Sequence, residues 1–162
     1  RSASAWVPFS TLSASYPTAR YSTNAAQSIP NNTTTIVDFE DQTYDANSAV
    51  TTGGSWKFTA PTNGIYRVSA TIMFGPTTAW SQIEFVELNL FKNGTVASRL
   101  NYNLGLDSSS SSRTFGAVGT DTISLSAGDY IDIRVQQTSG GSLALYNDGT
   151  FNHIQIERIP SN

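Results

Sequence analysis

Apolar side chains occupy every second position of residues 66–74, and this alternation limits the folds open to the chain. The apolar positions are Tyr66, Val68, Ala70, Ile72 and Phe74. Successive side chains of a β-strand point to opposite faces of its sheet, so the pattern predicts a strand with one buried face. Gly75-Pro76 follows directly and is expected to end this strand.

Similar short patterns recur along the chain from residue 35 onward. They predict nine or ten strands, with the other segments at 35–39, 56–58, 83–91, 96–100, 114–118, 123–125, 130–136, 143–146 and 154–158. Asn93-Gly94 joins two of them, and this pair favours the type I′ turn of a β-hairpin. Apolar residues nowhere hold a period of 3.6, so the sequence predicts an all-β protein with antiparallel sheets.

The composition excludes several classes of function. Charged residues make up 13% of the chain, against about 25% in soluble domains, while 22 serines and 20 threonines supply the polarity. The net charge is -3 without any basic run, so we predict no nucleic-acid partner. No apolar run approaches the roughly 20 residues of a membrane helix, so we predict no membrane insertion. There is no cysteine, which excludes disulfides and thiolate metal sites.

Two domain-level segments are predicted. Residues 1–35 lack a sustained period and contain three prolines, so we expect an irregular Ser/Thr-rich arm, followed by a head domain over 36–162. An apolar island in the arm could form a first strand or a plug against a neighbouring subunit; its residues are Trp6, Val7, Phe9 and Leu12. Residues 107–113 contain five consecutive serines and are expected to form an exposed loop.

The sequence offers little catalytic chemistry. His153 is the single histidine, and no nucleophile elbow, phosphate loop or zinc-protease motif occurs, so we predict a protein that is not an enzyme and needs no cofactor. Four carboxylates lie within eight positions, namely Asp38, Glu40, Asp41 and Asp45. Oxygen ligands in such a cluster could bind calcium, although the spacing is not that of an EF-hand, and the alternative is a solvated acidic loop.

Aromatic residues beside amide and carboxylate side chains are the candidate ligand-binding positions. Sugars bind by stacking on aromatic rings and by hydrogen bonding to neighbouring polar groups. The candidates are Trp80, which follows the strand of residues 66–74, Tyr102, and the sequence Tyr146-Asn147-Asp148. The alternative for each ring is packing, within the subunit or between subunits.

Several segments together resemble the globular head shared by complement 1q and the tumour necrosis factor cytokines. They are Phe39 with Tyr44-Asp45, residues 56–61 with Gly64 and Tyr66, Leu88 through Asn93-Gly94, residues 123–125 with Gly128-Asp129-Tyr130, and Tyr146 to Ile156. The resemblance covers about residues 36–159. It implies a ten-stranded jelly-roll sandwich of two five-stranded antiparallel sheets, assembled as a homotrimer. The final segment is most similar to bacterial and phage members of the family.

The resemblance implies a non-enzymatic trimeric head that binds a receptor, as at the tip of a phage or bacterial surface fibre. Its partners would be two further copies of the chain and a cell-surface glycan or protein receptor, and its location would be extracellular or on a virion surface. Two alternatives remain open: a purely structural capsid or fibre protein, and a carbohydrate-binding module attached to an enzyme. Light scattering and glycan binding separate these three functions.

Overall fold

The computed structural model of the chain describes residues 16–77, 84–104 and 113–160. The described residues contain strands and turns but no helix, and therefore no helix of the length and apolarity that crosses a membrane. The strands are β1 (Thr18–Ser22), β2 (Ser28–Ile29), β3 (Thr35–Ile36), β4 (Asp41–Asp45), β5 (Val50–Thr51), β6 (Lys57–Thr59), β7 (Gly64–Thr77), β8 (Phe85–Lys92), β9 (Thr95–Leu104), β10 (Arg113–Leu125), β11 (Tyr130–Gln137), β12 (Leu143–Ala144) and β13 (His153–Ile159).

Two antiparallel sheets form the sandwich. The five-stranded sheet has the order β10-β7-β13-β1-β4. The six-stranded sheet has the order β5-β6-β11-β8-β9, and β3 also pairs with β11. A small third sheet joins β12 to β2. The predicted all-β jelly roll with two antiparallel sheets is confirmed.

The core lies between the two sheets. The five alternating apolar residues of β7 are all at most 1% exposed, and they face buried residues of β8 and β11 such as Leu88, Ile131 and Ile133. Trp56 closes one part of this core, where its indole Nε1–H donates a 3.0 Å hydrogen bond to the carbonyl oxygen of Phe39. Burial of these side chains away from water is the main force that holds the two sheets together.

The turn between β8 and β9 has the predicted conformation. Asn93 has a φ of 50° and Gly94 a φ of 80°, which are the two left-handed positions of a type I′ turn. The Asn93 side chain also reaches the start of β11, since its Oδ1 accepts a 2.9 Å bond from the Tyr130 N–H. The local sequence signal and the tertiary contact therefore support the same hairpin.

The predicted end of β7 at Gly75-Pro76 is wrong, because the strand continues to Thr77. The pairing of β7 with β10 shifts register between Arg113 and Phe115, opposite this dipeptide. Such an irregularity leaves room for a proline, which cannot donate a ladder hydrogen bond. The strand β10 is likewise continuous over the two short segments predicted at 114–118 and 123–125.

The segment predicted as an irregular arm includes a strand of the sandwich. Within residues 1–35, β1 pairs with β13 on one side and with β4 on the other. Its buried residues are only Ala19 and Tyr21, so the alternation is too short to be recognised in the sequence. Residues 1–15, with the apolar island 6–12, lie outside the described residues, as does the serine run 108–112.

Side chains of β9 close one edge of the sandwich. Asn101 and Asn103 donate 2.7 Å hydrogen bonds to the carbonyl oxygens of Val118 and Gly116 on β10. These bonds satisfy carbonyl groups of β10 on its open side, because β10 is an edge strand whose own sheet supplies a neighbour, β7, on one side only. The two sheets are therefore joined by hydrogen bonds on this side as well as by their core.

Candidate functional site

One end of the sandwich gathers most of the predicted ligand-binding residues. The backbone N–H of Tyr146 donates a 2.8 Å bond to the carbonyl oxygen of Met73, and Met73 pairs with Gly116 of β10. Gly116 in turn accepts the bond from Asn103, the neighbour of Tyr102. The turn that follows β12 and the end of β9 therefore lie at the same end of the molecule, which we call the loop end.

Tyr102 is exposed on the outer face of the six-stranded sheet. The residue is 43% exposed and its ring stacks on Phe85, with 4.9 Å between the ring centroids and 27° between their planes. The guanidinium of Arg99 lies 5.3 Å from the Tyr102 ring centroid and is paired with Glu87, with 2.8 Å between Nε and Oε1. An aromatic surface bordered by a cation and a carboxylate is a suitable platform for a sugar or a peptide.

Residues 146–152 form a compact turn that a buried asparagine anchors. Asn152 is fully buried, and its side chain accepts a 2.6 Å bond from the Met73 N–H and donates a 2.6 Å bond to the Tyr146 carbonyl oxygen. The rings of Tyr146 and Phe151 are 5.1 Å apart, and Phe151 is 38% exposed. Hydrogen bonds from Thr150 lower the pKa of Asp148, so this turn carries a negative charge at neutral pH.

Four of the five residues predicted to bind a ligand lie at the loop end. Tyr146, Asn147 and Asp148 share one turn, with Asn147 exposed, and Tyr102 lies across the loop end on β9. Trp80 lies outside the described residues, so its role stays a prediction. Phe151 was not predicted as a ligand-binding residue. Its position three residues after Asp148, in a segment rich in turn residues, is the sequence signal that could have identified it.

The four acidic residues of the predicted calcium segment accept hydrogen bonds from nitrogen donors. Asp38 accepts a bond from the Gly53 N–H, Glu40 from the Asn24 N–H, and Asp41 from the Asn24 side chain. Asp45 accepts bonds from three backbone N–H groups at 46–50. These contacts hold loops in place, as solvated carboxylates at strand ends commonly do.

No group of three or more acidic or histidine residues in the described part of the chain is placed to hold a metal ion. The calcium site at Asp38, Glu40, Asp41 and Asp45 stays a prediction, and the observed geometry does not add support to it. The alternative is an acidic segment whose carboxylates accept hydrogen bonds from backbone N–H groups and from the side chains of Asn24 and Tyr21, and the observed bonds have this character.

His153 begins β13 and lies between β1 and β7. It pairs across the sheet with Ser22 and Thr71, and its Nδ1 has no hydrogen-bond partner. Burial is the main cause that lowers the pKa of His153, and the nearby charge of Arg20 lowers it further. The imidazole is therefore mostly neutral at pH 7.

A groove on the outer face of the six-stranded sheet was not predicted from the sequence. It lies along β11 beside β3 and β6, has a volume of 210 Å³, and includes Lys57, Tyr130, Asp132 and Arg134 in its walls. We call it the cationic groove. These residues were interpreted only as the polar positions of alternating strands, because the sequence does not show that β6 pairs with β11.

The outer face of the five-stranded sheet carries few charges. Two exposed apolar side chains lie on it, Ile65 at 45% and Val118 at 57% exposure. Arg67 and Glu157 neutralise each other across neighbouring strands, with 3.1 Å between their charged atoms. The remaining side chains along β7 and β10 are mostly small and hydroxylated, including Ser69, Thr71, Thr120 and Thr122.

Solved structures with the same architecture include a TNF protein and the globular domain of a complement protein. Eiger TNF from S. frugiperda superposes with a TM-score of 0.63 at 12% identity, over 91% of this chain and 94% of that chain. The globular domain of zebrafish complement 1qA protein gives 0.59 at 17%, over 90% and 99%. Murine APRIL at pH 8.0 gives 0.59 at 11%, over 89% and 99%.

This chain has the jelly-roll fold of the tumour necrosis factor and complement 1q head domains. The resemblance inferred from scattered sequence segments is therefore confirmed at the level of fold. No protein-family model matches the sequence of this jelly-roll head, and no curated protein does. The three structures come from S. frugiperda, zebrafish and mouse, so the bacterial or phage origin stays a prediction.

Proposed function

We propose that the chain is a non-enzymatic head domain that assembles as a homotrimer and binds a cell-surface receptor outside the cell. The observation that carries this proposal is the outer face of the five-stranded sheet, where Ile65 and Val118 are exposed, most neighbouring side chains are small and hydroxylated, and the charges of Arg67 and Glu157 neutralise each other. Protein interfaces are depleted of charged residues at their centres, and this face has that composition. The shared fold with tumour necrosis factor and complement 1q heads supports the same assembly.

The described residues contain no oriented acid–base pair, and this supports a binding function. General acid–base catalysis requires a group that is placed within hydrogen-bond reach of a reacting atom and titrates near neutrality. His153 has a lowered pKa, and its buried Nδ1 has no hydrogen-bond partner among the residues that the structure describes. Among the described carboxylates, Asp129 and Asp148 have pKa values lowered by hydrogen bonds, which makes them poor proton donors at pH 7.

The loop end is the surface that we assign to receptor binding. It presents Tyr102, Tyr146 and Phe151 as partly exposed rings, with Asn147 and Asp148 beside them. Three copies of this surface, fixed in one trimer, would convert weak single contacts into strong attachment, because later contacts form at a high effective concentration. A cell-surface glycan or a protein receptor both suit such a surface.

Light scattering of the purified chain tests the assembly. We expect a mass near three times 17.4 kDa, because three copies would bury the weakly charged face against one another. A monomer at micromolar concentration would refute the trimeric head and favour the carbohydrate-binding module. A trimer that attaches to no cell or glycan would favour the structural capsid or fibre protein.

Cell and glycan-array binding test the loop end. We expect Tyr102→Ala to reduce binding of the trimer at least tenfold, because the exposed ring supplies stacking area. Val96→Ala is the control, since Val96 is 55% exposed on the same sheet but lies beside the β8–β9 turn, away from the loop end. Equal binding by both variants would contradict the assignment of the loop end.

A further inference from the structure

The cationic groove contains one fixed ion pair and one additional cation. Arg134 donates two hydrogen bonds to Asp132, of 2.7 Å from Nε and 3.2 Å from an Nη atom. The Asp132 side chain is 2% exposed, so Arg134 screens it from solvent. The guanidinium also lies 3.9 Å from the ring centroid of Phe91, which holds it flat against the sheet. This pair is neutral as a unit and rigid.

Lys57 supplies the charge that the groove does not neutralise. Its Nζ lies 5.2 Å from the centroid of the Tyr130 ring, and no carboxylate of the described residues forms an ion pair with it. Because Arg134 and Asp132 cancel, the groove carries a net charge of about +1 on a protein whose net charge is -3. A ligand with a single negative charge would complete it.

The other walls suit a hydroxylated body attached to that charge. Ser55 and Tyr130 contribute hydroxyl groups, and Ile36 contributes an apolar side chain. The volume of 210 Å³ equals that of about seven liquid water molecules, which is the scale of a single ring and not of a polymer. A sugar ring with one carboxylate combines the charge, the hydroxyl groups and this size.

We propose that the cationic groove binds a carboxylated monosaccharide unit, with the carboxylate at Lys57 and the guanidinium edge of Arg134. The ring hydroxyls then hydrogen bond to Ser55 and to the phenol of Tyr130. This ligand class rests on the proposed function, because it specifies the kind of glycan that the receptor would carry. The groove lies within one subunit, so binding in it requires no trimer. It is also distinct from the loop end, since β6 and the start of β11 lie at the opposite end from Tyr102.

An NMR titration of the isotope-labelled chain with glucuronate tests the site, with glucose and acetate as the two comparison probes. We expect glucuronate to shift the backbone amide signals of Ser55, Lys57 and Tyr130, and glucose to shift none of them at the same concentration. We expect acetate to bind at least tenfold more weakly than glucuronate. An equal response to glucose would overturn the role of the carboxylate, and equal affinity for acetate would overturn the role of the sugar ring.

Lys57→Met is the diagnostic variant, because it removes the charge and keeps most of the aliphatic chain. We expect it to weaken glucuronate binding at least tenfold while the signals of Asp132 and Arg134 stay in place. Arg67→Met is the matched control, since Arg67 is an exposed cation on the other sheet, and it should leave the affinity unchanged. Unchanged affinity in Lys57→Met would refute the site. A monomer by light scattering that still binds glucuronate would refute only the trimeric assembly.

Discussion

At the scale of single residues, the carboxylate of Asp45 fixes the loop between β4 and β5. It accepts backbone bonds from Ala49 and Val50, each 3.0 Å long, and a 3.2 Å bond from the hydroxyl of Tyr21. Hydrogen bonds to a charged acceptor contribute about 1.5–3 kcal/mol each. We expect Asp45→Ala to lower the free energy of unfolding by about 2–3 kcal/mol, measured by chemical denaturation. Asp41→Ala, with an exposed carboxylate, is the control and should cost less than about 1 kcal/mol.

Ionisation of Tyr21 makes the free energy of unfolding depend on pH in the alkaline range. Burial raises the pKa of Tyr21 to about 12 from 10.0, and the charge of Asp45 adds to the rise. Because the pKa of Tyr21 is raised in the folded state, its contribution to the free energy of unfolding is complete below pH 10. This contribution is lost as the pH rises towards 12. The chain has seven tyrosines, so the absorbance titration of Tyr21→Phe must be subtracted from that of the wild type. A difference curve centred at pH 10 would contradict the expected shift.

Ionisation of Asp129 makes the free energy of unfolding depend on pH in the acidic range. Hydrogen bonds from the Asn93 side chain, and then from the Ser126 N–H, lower the pKa of Asp129 to about 2 from 3.8. Because the pKa of Asp129 is lowered in the folded state, its carboxylate stabilises the folded state above pH 3.8. This stabilisation is lost as the pH falls towards 2. We expect Asn93→Ala to raise the pKa of Asp129, measured by NMR of its carboxyl carbon. Thr62→Ala, which removes no bond to Asp129, should leave that pKa unchanged.

At the scale of elements, the close approach of β9 and β10 depends on Gly119. A Cβ at this position would lie 2.6 Å from both the Cβ and the carbonyl oxygen of Leu100. We expect Gly119→Ala to lower the free energy of unfolding by about 1–3 kcal/mol, because the strands must move apart. Gly54→Ala is the matched control, since a Cβ there meets nothing within 4 Å. Equal unfolding curves for the two variants would show that the edge tolerates separation.

The elements also show how far sequence reasoning reaches. Long alternation in one strand identified β7 and β11, and the Asn93-Gly94 pair identified a hairpin with its turn type, because both signals are local. The strand β1 was missed because five residues with two buried side chains carry too little pattern. Its place between β13 and β4 depends on partners at least 19 residues away.

At the scale of the whole molecule, the exposed apolar residues distinguish an interface from an ordinary surface. Val118 is 57% exposed on the five-stranded sheet, and Val96 is 55% exposed beside the β8–β9 turn on the six-stranded sheet. If the five-stranded sheet mediates assembly, a carboxylate buried in the contact must be desolvated at a cost of several kcal/mol. We expect Val118→Asp to give a monomeric mass by light scattering. Val96→Asp should leave the oligomer intact, and dissociation of both variants or of neither would refute this interface.

The sequence alone determined that this protein is an antiparallel β-sandwich, because period-two alternation and turn residues act on neighbouring positions. It also named Tyr102 and residues 146–148, since aromatic and polar side chains beside strand ends are visible in order along the chain. Only the tertiary structure decided which strands pair, and so which side chains meet. Lys57 and Arg134 are 77 positions apart, and they line one groove because β3 and β6 both dock against β11.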